Sequence, residues 1–592
     1  MKDFFKMLFA SMFGLILAIV ALFFIFVGII SAMVSSSEKP KEVVVSSPSI
    51  LQIHLDYPIK DRTSQNAFKD FNFTSFEAKK ELGLNDILKN IKKAKADDNI
   101  KGIYLDESSI EAGIATIDEI RNALLDFKTS GKFIISYAEF YTQGAYYLAS
   151  VSDKIYLNPG GAMEFKGLNY KLTFLKGTLE KLGIEPQIIR HGKFKSAIEP
   201  LINDKMSDAN RLQASTFINT IWTEITTKVA ASRHLTIEQL NKMADENPTP
   251  SGEDAVKLGL LDSLKYYDQV LVELKTKMAT AKDKDVNFIT LNKYNNAPDP
   301  IKKDFTRDEI AIIYASGNIV DGESNDEDKI ASQNMAKTIR EARLDENVKA
   351  IVFRVNSGGG SALASEVIWR EVALAKAAKP VIVSMGDYAA SGGYYISCVA
   401  DTILANPMTL TGSIGVFGVI PNLKELFTDK LGFTFDGVKT NALSDIGEIN
   451  RPMTEPEKAI IQKSIEEVYG RFTLRVAGGR KKSQADIDSI GQGRVWTGKD
   501  ALGIGLVDAS GGMEDAIAIA AHMAKLTKYK VTELPRLKDT FEKLFGSMAE
   551  EAHVYFSQKE LGEANYRYYE KVKNEIQMQG IQARLPFTLE IK

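Results

Sequence analysis

Val381-Ile382-Val383-Ser384-Met385-Gly386-Asp387-Tyr388-Ala389-Ala390-Ser391-Gly392-Gly393-Tyr394-Tyr395-Ile396-Ser397-Cys398-Val399-Ala400-Asp401-Thr402-Ile403-Leu404-Ala405-Asn406-Pro407 occurs in this chain a second time, in altered form. At a constant offset of 248, Phe133 to Pro159 shares ten identities with it over 27 positions. They include Ser136/Ser384, Gly144/Gly392, Tyr146/Tyr394, Tyr147/Tyr395, Asp153/Asp401 and Asn158-Pro159/Asn406-Pro407. A period this long marks a duplicated domain, since solenoid repeats recur every 20 to 50 residues or so. The copies part where chemistry would sit. The second reads Ala390-Ser391-Gly392-Gly393-Tyr394, and the first reads Thr142-Gln143-Gly144-Ala145-Tyr146.

The register extends upstream, where Asp98 to Ile103 matches Glu346 to Ile351. With a slip of two it reappears downstream, in Gly252 to Ala255 against Gly498 to Ala501 and Gly259 to Asp262 against Gly505 to Asp508. Within each copy, short β-branched runs alternate with helical patterns. In the second these are strand at Ile310 to Tyr314 and Ala350 to Val355, helix at Ala362 to Ala378, strand at Val381 to Ser384, helix at Gly393 to Val399, and strand at Thr402 to Ala405. Such alternation predicts an α/β fold with a parallel sheet, and ligands bind such sheets at the carboxyl ends of their strands.

The 592 residues are 44% hydrophobic and 26% charged, a globular composition with enough chain for two cores. A net charge of −3 gives no electrostatic reason to expect nucleic acid. Cys398 is the single cysteine, so no intramolecular disulfide forms, and its position in an apolar helical pattern reads as core. No metal site is legible, because the five histidines have no ligand spacing, and no cofactor is expected.

Met7 to Val34 carries no charge and is dominated by Phe, Leu, Ile, Val and Ala, longer than the roughly 20 residues that cross a bilayer. It reads as an uncleaved anchor, since a signal peptide would have an apolar core of only about 7 to 15 residues. Lys2 and Lys6 predict a cytoplasmic N-terminus (residues 1–6) and an extracytoplasmic body, on the periplasmic face of the inner membrane in a Gram-negative cell. After the span (7–34), the divisions expected are a tether (35–48), a first repeat (49–294), a linker (295–304), a second repeat (305–535) and a helical C-terminal extension (536–592).

Two strand-to-helix turns of the second repeat carry candidate chemistry. Asn356-Ser357-Gly358-Gly359-Gly360-Ser361 offers backbone N–H groups to an oxyanion, or serves as a plain turn capped by Ser361. The first copy has Ser109-Ile110-Glu111-Ala112 in place of Ser357 to Gly360, which favours a role beyond folding. Ser391 opens a helix, and on sequence an N-cap and a nucleophile are equally good readings. A nucleophilic serine needs a base. Of the histidines His54, His191, His234, His522 and His553, none lies in the core segment of the second repeat. A lysine serves if apolar surroundings lower its pKa, and Lys195 lies among Phe194, Ala197 and Ile198, although a surface lysine is the commoner reading of such a residue.

Four motifs in order carry a family resemblance: Lys193 to Pro200, Asn356 to Gly360, Ala389 to Tyr395, and Leu410-Thr411-Gly412-Ser413-Ile414-Gly415-Val416. Together they resemble the signal peptide peptidase A (protease IV) family in its long, duplicated form, from the anchor to about residue 530. The resemblance implies tandem Clp protease/crotonase-like domains and a serine–lysine endopeptidase that cuts signal peptides left in the membrane and other exported peptides. It assigns Ser391 as nucleophile, Lys195 as general base, Gly359 and Gly360 as oxyanion donors, and Gly412, Ser413 and Ile414 as substrate-binding residues. It also implies a homo-oligomer, a tetramer. The family's Ser-Pro-Gly-Gly turn here reads Ser357-Gly358-Gly359-Gly360, without the stiffening proline.

Lys439 is the rival base in sequence, but aligning Gly192 with Gly437 sets Thr440 opposite Lys195. The second copy therefore lacks the base and the first lacks the nucleophile. The alternatives are a crotonase-like acyl-CoA enzyme, disfavoured by export from the compartment that holds coenzyme A, and an inactive anchored scaffold, disfavoured by the intact Ser391 and Lys195.

Overall fold

The computed structural model describes residues 43–64, 81–281, 283–301, 305–535 and 581–585, with shorter stretches that include 9–21, 71–72 and 77–78. Two parallel sheets carry the duplication. The first runs in the order Ser263–Leu264, Lys154–Met163, Phe133–Tyr141, Ile100–Leu105, Ser49–Ile53, Phe288–Thr290. The second, of eight strands, repeats that order in Ala509–Ser510, Thr402–Ala405, Val381–Ala390, Val348–Ser357, Glu309–Ser316, Lys530–Leu534, and carries besides Leu410–Gly412 and, antiparallel to it, Val495–Thr497. These central strands are rich in Ile and Val and buried on both faces, as parallel sheets require.

Val381–Ala390 runs well past Ser384, the end expected from its β-branched residues. Its first half pairs with Thr402–Ala405 and its second half, Tyr388 to Ala390, with Leu410–Gly412. A second neighbour thus supplies hydrogen bonds that local propensity does not announce. The helix Ala362–Ala378 forms over the expected residues, capped by the Ser361 hydroxyl accepting from Ala364 N–H at 3.2 Å.

A third sheet joins the two repeats, in the order Lys329–Ala331, Asn318–Val320, Gly359–Ser361, Gln582–Arg584, Val416–Asn422, Glu185–His191. Its longest ladder is antiparallel and inter-repeat, from Val416 opposite His191 to Asn422 opposite Glu185. The described part of the region read as a helical extension is a strand, because its backbone is paired on both sides.

The halves share a core. One apolar cluster holds Leu51, Ile103 and Ile134 of the first repeat together with Ile312, Val352, Ile382 and Leu404 of the second. Across it Arg354, sealed from solvent, meets Asp61 and Glu119, each at 2.7 Å. Burial opposes the charge on Arg354, and the Glu119 and Asp61 carboxylates more than offset it, so the guanidinium stays protonated. Cys398 is buried in the core as expected, and burial pushes its thiol up to about 12.

Among the described residues no helix is long and apolar enough to cross a membrane. Residues 9–21 are helical, and much of the span expected over 7–34, like most of the tether, lies outside the described residues. The same holds for residues 536–580 and 586–592 of the expected extension and for His553.

Candidate active site

Ser391 ends the strand Val381–Ala390 and precedes the helix Gly392–Ser397, with φ 55° and ψ −115°. That backbone is costly for a residue with a Cβ and is held in place by its surroundings. Ser391 N–H donates to the Gly412 carbonyl at 2.7 Å, fixing the elbow to the adjacent strand. Its hydroxyl makes no capping bond, which removes the N-cap reading. Glycine is needed at 393, where a Cβ would lie 2.5 Å from the Ser357 carbonyl oxygen.

Lys195 arrives from the other repeat. Antiparallel pairing of Glu185–His191 with Val416–Asn422 sets the loop after His191 beside Ser413 to Gly415, the residues just before Val416. The loop Gly491 to Val495 then closes over it: Phe194 N–H donates to the Gln492 carbonyl at 2.8 Å, and Gln213 bonds Ser196 Oγ at 2.7 Å and the Val495 N–H at 3.2 Å. Gly493, at φ 78°, approaches so closely that a Cβ there would lie 2.7 Å from Lys195 Cβ.

The result is a fully buried lysine whose Nζ lies 2.8 Å from Ser391 Oγ, 3.0 Å from Ser413 Oγ and 3.2 Å from the Ser413 carbonyl. Burial alone drives its pKa well below the ordinary 10.5, and no carboxylate pairs with it among the described residues. A neutral amine hydrogen-bonded to a serine hydroxyl is equipped to take that proton. Lys439, the rival in sequence, is half-exposed and paired with Asp445, and so lacks the burial that depresses the pKa of Lys195.

The other expected residues sort differently. Gly412 and Ser413 hold Ser391 and Lys195, and Ile414 is buried in the core behind them. Gly359 N–H is turned to Ser357 Oγ at 3.1 Å, while Gly360 sits in the strand Gly359–Ser361 facing Gln582–Arg584. In the first repeat, Gln143 occupies the position of Ser391, its side chain accepting from Lys166 N–H and Gly167 N–H and donating to the Gly167 carbonyl. That side chain is a loop tie.

Two features go beyond the sequence reading, the contact of Ser413, expected as a substrate residue, with the Lys195 amine and one strand. Ser413 contacts the amine through both its hydroxyl and its carbonyl, and its only sequence signal is the Leu410 to Val416 motif. The strand Gln582–Arg584, which lies against the glycine turn, carries none. Among the described residues no group of three or more His, Cys, Asp or Glu side chains is placed to hold a metal.

Comparison with known proteins gives the family. The model of peptidase family S49 matches the chain twice, over residues 126–281 and 373–527. "Protease 4" of Salmonella typhi is 41% identical over 459 residues, covering 76% of this chain and 73% of that one. "Protease 4" of Haemophilus influenzae is 35% identical, covering 83% and 82%. The chloroplastic "Serine protease SPPA" of Arabidopsis thaliana is 35% identical, covering 77% and 68%. The chain belongs to peptidase family S49 and is a serine peptidase with a duplicated S49 domain.

Proposed function

We propose that this S49 peptidase is a membrane-anchored endopeptidase with a serine–lysine dyad, Ser391 as nucleophile and Lys195 as general base, acting on cleaved signal peptides and other exported peptides. The observation that carries the reading is the 2.8 Å approach of Lys195 Nζ to Ser391 Oγ in a site that strips the amine of water and gives it no counter-charge.

In this reading the neutral amine accepts the Ser391 proton as Oγ attacks the substrate carbonyl. The oxyanion forms beside the Gly360 N–H and the Gly392 N–H at the start of the helix after Ser391, donors fixed before the charge develops. The lysine, now an ammonium, gives its proton to the departing amine, and water releases the acyl group by the same route reversed. Ser413 orients Nζ through its hydroxyl and carbonyl. Gly412 and Ile414 shape the elbow from behind.

The sheets are read as two Clp protease/crotonase-like domains, over residues 49–294 and 305–535, fused so that each supplies half of one site. Membrane attachment through residues 7–34, an extracytoplasmic body and a homotetramer complete the proposal, supported by the apolar run and by the family resemblance. A serine-directed acylating probe should label the wild type and fail on Ser391→Ala. Equal labelling of the variant would refute Ser391 as nucleophile. Salt- and carbonate-resistant association with membranes, lost on deletion of residues 1–46, tests the anchor, and light scattering tests the tetramer.

A further inference from the structure

Two routes join Ser391 to Lys195, and only one is direct. Besides the 2.8 Å approach of the hydroxyl and the amine, a path of backbone and side-chain contacts runs behind the site. Ser391 N–H donates to the Gly412 carbonyl at 2.7 Å, and Gly412 lies opposite Val495 in an antiparallel ladder. The adjoining bond, from Ser413 N–H to the Arg494 carbonyl at 2.7 Å, makes Gly412 and Val495 a non-bonded pair. The Val495 N–H therefore points out of the ladder, where Gln213 Oε1 accepts it at 3.2 Å. Nε2 of the same side chain donates to the Phe194 carbonyl at 3.2 Å and to Ser196 Oγ at 2.7 Å, the residues on either side of Lys195.

The Val495 N–H needs an acceptor and the Phe194 carbonyl a donor, and a neutral carboxamide supplies both from one buried side chain. The amide is oriented from both ends. The Glu199 carboxylate accepts from Ser207 N–H, Ser207 Oγ and Asn210 Nδ2, which leaves Asn210 Oδ1 to accept from Gln213 Nε2 at 3.3 Å. Gln213 itself stands on the first-repeat helix Asp208–Arg233, which packs against Val495–Thr497 of the second repeat.

Charged groups surround this arrangement and stay off the amine. Arg190 donates to the Lys195 carbonyl at 3.4 Å, Lys193 and Arg494 lie over the Phe194 ring, Asp488 is taken by Gln492 and Tyr469, and His191 faces Glu466. Burial, not a neighbouring charge, lowers the pKa of Lys195, so whatever keeps its loop closed governs its protonation.

We propose that Gln213 is a positioning residue for the pair, clamping the chain on both sides of Lys195 to the strand that fixes Ser391. The inference rests on the serine–lysine reading. With the clamp in place the amine is held dry and within reach of the hydroxyl. Without it the loop after Gly192 loses its tie and water reaches Nζ.

The test follows the rate of Ser391 acylation by a small probe against pH in the full-length protein, counted per site finally labelled. Gln213→Met keeps the bulk and loses both the donor and the acceptor. Its midpoint should rise towards the ordinary lysine value, lowering the rate at pH 7 by about tenfold for each unit of the rise, with KM for a short peptide unchanged. Gln213→Glu still accepts from Val495 but brings a negative charge beside the amine, and its midpoint should rise further. Hydrogen exchange adds a readout that needs no activity: the Val495 amide should be protected in wild type and in Gln213→Glu, and exposed in Gln213→Met. A residue that serves folding alone would leave the midpoint in place in both variants and only reduce the fraction of sites labelled, and that result would overturn the proposal. If Gln213→Met does not melt cooperatively, the near-isosteric Gln213→Glu decides, and an unshifted midpoint there would overturn it too. A wild-type profile with no midpoint below 10.5 would refute the serine–lysine reading itself.

Discussion

Arg354 of the second repeat and Asp61 of the first form a 2.7 Å ion pair with neither side chain open to solvent. Asp61 also accepts from Ser316 Oγ and Asn356 Nδ2, and Arg354 donates to Ser384 Oγ at 2.9 Å, so the pair ties three strands of the second repeat to the first. The strand that carries Arg354 ends at Ser357, where the glycine turn of the site begins.

Removing one partner leaves a buried charge uncompensated. Asp61→Ala should lower stability by about 3–5 kcal/mol, while joint replacement of Arg354, Asp61 and Glu119 by apolar residues should recover most of that loss. Denaturant titration checks both values. Equal losses in the single and triple variants would contradict the argument.

The shared core makes a prediction about the halves. Residues 305–592 produced alone should fail to melt cooperatively, because Ile312, Val352 and Ile382 would lose the apolar residues they pack with in the first repeat and Arg354 would lose both carboxylates. Calorimetry on the isolated half checks this. A sharp transition there would show that each repeat folds on its own.

Ser413→Ala should reduce kcat by up to about tenfold and leave KM in place, since it deletes one hydrogen bond, worth about 0.5–1.5 kcal/mol, from the amine and touches no substrate in this reading. A raised KM with unchanged kcat would make Ser413 a substrate contact.

Lys195 should cost stability where it serves chemistry. Its pKa is depressed in the folded protein, so the unfolded chain binds the extra proton and stability rises with pH up to the unfolded value near 10.4. Lys195→Met should therefore melt above wild type at pH 7, with the difference growing by about 1.4 kcal/mol per unit as pH falls towards the folded pKa and vanishing above about 10.4. Melting temperatures across pH check the sign. A variant less stable than wild type at pH 7 would mean that the hydrogen bonds to Ser391 and Ser413 outweigh the burial of the amine.

Much of the architecture was legible because it is local or duplicated. The offset of 248 reappears as two sheets with one strand order, and Ala362–Ala378 and Thr402–Ala405 fall where their patterns place them. What sequence could not show is long-range. Gly359–Ser361 has no β-branched residue and becomes a strand only because Ile319 and Ala583 flank it. Lys195 looks like a surface lysine in Lys193-Phe194-Lys195-Ser196, and its burial comes from Gly491 to Val495, some 300 residues away. The motif resemblance named Lys195, while the burial that suits it to the proposed role of base comes from that packing. Of the expected oxyanion donors, Gly359 and Gly360, Gly359 directs its N–H to Ser357 Oγ at 3.1 Å, a contact that the sequence does not announce.

The central claim is that Lys195 is a neutral base for Ser391, and the pH dependence of Ser391 acylation tests it most directly. With a small acylating probe in excess, the rate should rise with pH through a midpoint well below 10.5 and then level off, and in Lys195→Met it should be lower by roughly 10²- to 10⁴-fold with no such midpoint. A rate still climbing at pH 10, or the same profile in Lys195→Met, would contradict the account.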